Sequence, residues 1–138
     1  MSPYEPNFKI FTFQHDKGTL TMIDNDLMTG DFTLAKVSYS DVKTTTPEFR
    51  VGLQSLEQLF EDLKYMIREE RNFLIFESTY KEFKMEINLK SYGLYNVKVY
   101  FNDRLEYESS CNAGAFYPMQ CELRKYLINF SLKDLLLH

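Results

Sequence analysis

The chain has 138 residues, 44% hydrophobic and 26% charged, which describes one globular domain able to bury a core and excludes a disordered chain. Its net charge of −4 disfavours nucleic acid as a partner, because such binding neutralises phosphates with Lys and Arg. No apolar run approaches the roughly 20 residues that span a bilayer, and "MSPYEPNFKI" carries no signal sequence. A cytoplasmic protein with both of its cysteines, Cys111 and Cys121, reduced is therefore expected.

In chain order, "FKIFTFQ" (8–14), "TLTMID" (19–24) and "DFTLAKVSY" (31–39) predict three strands, the first two joined through "HDKG" with Gly18 taking the unusual backbone angle. "SDVKTTTPEF" (40–49) is extended, and Pro47 restricts it to an edge or a loop. Leu53, Leu56, Leu59, Leu63 and Met66 recur at helical spacing, and Ser55 with Gln58 has the spacing of a capping box, which predicts a helix from about Leu56. "NFLIFESTY" (72–80), "EFKMEINLK" (82–90), "LYNVKVYF" (94–101) and "LEYES" (105–109) follow through short connections, as a meander. In 82–90 Phe83, Met85, Ile87 and Leu89 alternate with polar residues, the signature of a strand with one wet face. "SCNAGAFYP" (110–118) reads as a loop of small residues, and a second helix is expected from Pro118, with Met119, Leu123, Tyr126, Leu127 and Phe130 inward. The expected fold is α+β: a single antiparallel, meander-rich sheet with two main helices packed on one face, forming one domain over 1–138.

Charge is unevenly spread. Residues 1–72 hold 12 acids and 8 bases, and residues 73–138 hold 8 of each, so the acidic excess lies in the first half and favours a basic partner. Ten tyrosines are more hydroxyls than an interior easily satisfies, which places some at the surface as contact residues.

The densest acidic stretch, "DNDLMTGD" (24–31), does not make a calcium loop. Counted from Asp24, positions 5, 6 and 12 are Met28, Thr29 and Ala35; counted from Asp26, positions 3, 6 and 12 are Met28, Asp31 and Val37. Both registers lack required oxygen ligands, and the stretch reads as a surface turn with an acidic rim. His15 and His138 are the only histidines, and no C-x-x-C, phosphate-binding glycine loop or G-x-S-x-G elbow occurs, so no metal site, cofactor or catalytic group is expected. Cys111 with His15 is the one thiol–base pair worth naming. Glu106 with Glu108, and Glu82 with Glu86, are carboxylate pairs expected to share strand faces, where solvated charge rows are the ordinary case.

Residues 53–130 carry a longer pattern: an "LxxLxxL" helix, then "FLIFESTYKEFKMEINL", then "GLYNVKVYF", then an "FYPMQCELRKYL" helix after an irregular loop. In order and spacing this resembles the WapI-type immunity proteins, small cytoplasmic bacterial proteins that neutralise a cognate secreted toxin. The resemblance implies a stoichiometric inhibitor without catalytic residues, whose partner is a basic toxin bound through surface acids and tyrosines. Asp24, Asp26, Asp31, Tyr39 and Asp41 are the candidate contacts, with Glu106, Tyr107 and Glu108 as a second patch. Two other functions compatible with the same sequence are an accessory interaction protein, such as a phage-encoded inhibitor of a host defence enzyme, and a small carboxylate-based enzyme.

Overall fold

A computed structural model describes residues 8–24 and 32–137, with the side chains of the last helix described as far as Asn129. The elements run β1 (Phe8–His15), β2 (Gly18–Asp24), β3 (Phe32–Tyr39), β4 (Phe49–Gly52), α1 (Leu53–Ile67), β5 (Phe73–Glu77), β6 (Phe83–Ser91), β7 (Leu94–Phe101), β8 (Arg104–Asn112), a 3-10 turn (Ala113–Ala115) and α2 (Phe116–Leu137). The class is α+β with antiparallel strands, but the expected single sheet is two: β1-β2-β3-β4 and β5-β6-β7-β8. The physical reason is the position of α1. β4 runs directly into the helix, so no hairpin joins it to β5, and the second meander starts a sheet of its own.

The two sheets still meet. Asp16 N–H in the β1–β2 turn donates to the Ser110 carbonyl of β8 at 2.8 Å, and Thr79 N–H donates to the Arg50 carbonyl of β4 at 2.8 Å. Phe49 of the first sheet stacks on Phe83 of the second at 4.6 Å between centroids. One buried cluster combines Phe13, Met22 and Val37 with Met85 and Val97, and with Leu59 and Leu63 of α1 and Met119 and Leu123 of α2. Burial of this apolar surface is the main force holding the layers together.

Local chemistry explains the boundaries. Gly18 takes φ 135° beside the two-residue Asp16–Lys17 turn, and Asn102 and Asp103 both take positive φ in the two-residue turn between β7 and β8. α1 starts at Leu53, three residues before the expected position, with Gly52 extended as its N-cap and no side-chain cap bond. Ser55 is thus already inside the first turn. Gln58, instead of closing a capping box, donates to Asp62 Oδ1 at 3.0 Å. β4 was hidden behind Pro47, because only four residues after it, Phe49–Gly52, complete the pairing with β3. The stretch expected as a loop, 110–118, is instead shared by three elements: β8 continues to Asn112, the 3-10 turn follows, and α2 starts at Phe116. α2 begins at Phe116, which keeps Pro118 in the first turn, where its missing N–H has no helical acceptor to lose. Among the described residues no helix is long and apolar enough to cross a membrane.

Candidate functional site

The seam where β1 meets β8 gathers side chains distant in sequence. Tyr39, at the end of β3, stacks on Tyr107 of β8 with centroids 4.1 Å apart and planes 20° apart. The Tyr107 hydroxyl donates to Asp41 Oδ1 at 2.7 Å. His15, at the end of β1, meets the Tyr107 ring edge-on at 5.4 Å, and Lys17 in the adjoining turn holds its ammonium 5.7 Å from that ring's centroid. Burial raises both phenols above their usual range. At Tyr107 the hydrogen bond and charge of Asp41 add to this, and at Tyr39 the charges of Glu106 and Asp41 do.

His15 ties the seam together. Its Nδ1 accepts Lys17 N–H at 3.2 Å and lies 2.9 Å from Ser109 Oγ. The Lys17 backbone donor at Nδ1 favours the neutral tautomer with its proton on Nε2. Burial lowers the imidazole below its ordinary value, against the upward pull of Asp41, the Thr19 backbone and Asp16. Next to it Ser110 Oγ donates to Asp16 Oδ2.

A shallow groove of about 270 Å³ opens beside the seam, lined by Gln14, His15, Asp16, Cys111, Asn112, Gly114 and Ala115. It brings together Cys111 and His15, the thiol–base pair singled out in the sequence. Cys111 is a buried β8 residue, not a loop residue, and burial followed by the charge of Asp16 pushes its thiol up to about 12. A nucleophilic cysteine needs the opposite shift. Asp16 is the one carboxylate lining the groove. The carboxylate pairs named from the sequence are held elsewhere: Glu82 accepts from Ser78 Oγ at 2.7 Å, and Glu86 pairs with Lys84 at 3.3 Å. Among the described residues no group of three or more His, Cys, Asp or Glu is arranged to hold a metal ion.

The eight candidate contact residues divide into four groups. Tyr39 and Asp41 of the first patch and Tyr107 of the second converge on one site, which the sequence had left as two. Glu106 joins them, because it is the extra residue of a β-bulge: Val99 pairs with Tyr107 and Tyr100 with Leu105, leaving Glu106 unopposed and close enough to act on Tyr39. Glu108 does not. It stands opposite Lys98 with their charged atoms 4.0 Å apart, and it and Glu106 are both exposed, flanking buried Tyr107.

Asp24 is a clear correction. It was expected on a surface turn and is 1% exposed, accepting from Thr33 Oγ1 and, at 2.7 Å, from the Tyr126 hydroxyl of α2. Asp26 and Asp31, expected on the same turn, lie outside the described residues. Tyr107, also expected at the surface, is 8% exposed, with its ring edge and hydroxyl engaged by neighbours. His15, Lys17 and Ser109 were not among the candidate contacts. A faint signal existed, since His15 keeps the parity of buried Phe13, and Ser109 that of Tyr107 and Cys111.

The site thus gathers two stacked phenols, Tyr39 half-buried and Tyr107 buried, braced by a carboxylate, with the His15 ring against them and Asp16, Asp41 and Glu106 exposed around the rim. Such a group can recognise cationic and planar side chains. Comparison of the chain with protein-family models, with curated proteins and with solved structures finds no match in any of the three.

Proposed function

We propose that the protein is a stoichiometric inhibitor of immunity type, which binds a basic protein toxin through the β1–β8 seam and blocks its working surface. The observation that carries this reading is the Tyr39–Tyr107 stack locked to Asp41, with Glu106 beside it. Tyrosines fixed before the partner arrives lose little conformational freedom on binding, which is why rigid aromatics recur among the residues that dominate interface energies. The acidic rim adds long-range steering of a basic partner and a penalty against acidic ones. The net charge of −4 acts in the same direction.

The test is titration calorimetry against the purified basic product of the adjoining gene, with survival of cells expressing that product as the second readout. A 1:1 complex that weakens as salt rises, together with rescued growth, is the expected result. No heat and no rescue would refute the proposal.

A further inference from the structure

The seam also specifies what part of a basic partner it fits. Tyr39 fills one face of the Tyr107 ring and His15 meets its edge. What lies over the ring besides these is the ammonium of Lys17, 5.7 Å from the centroid, near the roughly 6 Å limit of a useful cation–π contact. Lys17 is exposed, sits in a two-residue turn and makes no ion pair among the described residues. The ring itself is well prepared for a cation. Its hydroxyl donates to Asp41, which feeds electron density into the phenol and strengthens the negative face that attracts positive charge. Asp41 bears on Tyr107 through both its hydrogen bond and its charge, while Glu106 acts on the stacked Tyr39 and Asp16 on His15, so the seam carries acidic groups at each of its three rings.

We propose that the face of Tyr107 is a receptor for a cationic side chain of the partner, and that Lys17 occupies this position until the partner's cation displaces it. The inference rests on the reading of the seam as a partner-binding surface and adds the chemistry of the key contact. Arginine suits the position better than lysine. A guanidinium is planar, weakly hydrated and stacks on aromatic faces, whereas an ammonium is a compact, strongly hydrated charge. The chain's own lysine is therefore a weak internal competitor that a partner arginine can replace.

The experiment uses the full chain and a capped tetra-arginine peptide, with affinity followed by NMR shifts. Lys17→Ala is compared with Lys90→Ala, which removes the same charge from an exposed position on β6, away from the seam. The expected result is binding that Lys17→Ala tightens about two- to fivefold more than Lys90→Ala does. That extra gain disappears when Tyr107→Leu is added. Tyr107→Phe, which keeps the ring and the fold but loses the bond to Asp41, retains part of the gain and serves if the leucine variant does not fold. Equal effects of the two lysine substitutions, or no peptide binding at all, would overturn the proposal. Partner binding that responds identically to Lys17→Ala and Lys90→Ala would sink the cation receptor alone. Peptide binding intact with no binding of the toxin would sink the inhibitor reading and leave the receptor standing.

Discussion

Tyr126→Phe tests how the C-terminal helix is fastened to the first sheet. In the folded chain the Tyr126 hydroxyl of α2 donates at 2.7 Å to Asp24 Oδ2 at the end of β2, and Thr33 Oγ1 donates to the other oxygen. Asp24 is 1% exposed and Tyr126 9% exposed, so the carboxylate depends on protein donors in place of water. A hydrogen bond to a charged group contributes roughly 1.5–3 kcal/mol, and its removal leaves an under-solvated charge behind. The substitution conserves the ring, so no cavity cost enters. We expect a loss of about 2 kcal/mol, equivalent to a fall in Tm of about 6–8 °C for a chain of this length. The assay is urea unfolding followed by circular dichroism, with the loss read as a lower midpoint at unchanged slope. Asp24→Asn and the double variant complete a cycle whose coupling should be at least about 1 kcal/mol. A Tyr126→Phe midpoint within about 0.5 kcal/mol of wild type, or zero coupling, would show that this bond does not anchor α2.

Three further outcomes follow from the same geometry. Gly18→Ala should cost more than about 1 kcal/mol in the same unfolding assay: φ is 135°, and the added Cβ would fall 2.1 Å from Ser40 Oγ, the atom that accepts Thr19 N–H at 2.8 Å. Because burial lowers His15 below 6.5, the unfolded chain takes up a proton before the folded one. Stability contributed by the neutral ring is complete above pH 6.5 and is lost as pH falls towards the folded value; unfolding midpoints measured across that window should slope in wild type and lose part of the slope in His15→Gln. Tyr39, Tyr107 and Tyr126 are all raised, so stability is complete below pH 10 and falls above it as the unfolded chain ionises first. In a spectrophotometric titration these three, together with buried Tyr95, should stay un-ionised past pH 10 until the chain unfolds, and smooth ionisation of all ten tyrosines near 10 would contradict their burial.

Local pattern carried much of the fold. β7 falls at 94–101 as expected because its buried and half-exposed residues alternate from Leu94 to Tyr100, and α1 follows from a leucine stripe. Sheet membership was beyond that kind of reading. Which strand pairs with which depends on where α1 interrupts the chain, and the four-residue β4 has too short a pattern to announce itself. Asp24 shows a signal that was present and overridden. It keeps the parity of buried Leu20 and Met22, so period-two reading alone turns it inward, but its acidic neighbours suggested a surface turn. The site was legible only in pieces. Tyr39 and Tyr107 each look like single surface tyrosines, and their stacking exists because the end of β3 and the bulged part of β8 meet across a seam, 68 positions apart in the chain.

Hydrogen–deuterium exchange of the protein alone and bound to its basic partner maps the surface that the partner covers. Binding through the seam predicts added protection at residues 15–19, 39–41 and 104–108, with the outer face of β5 and β6 unchanged. Protection confined to that outer face or to α1, with the seam exchanging as in the free protein, would contradict it.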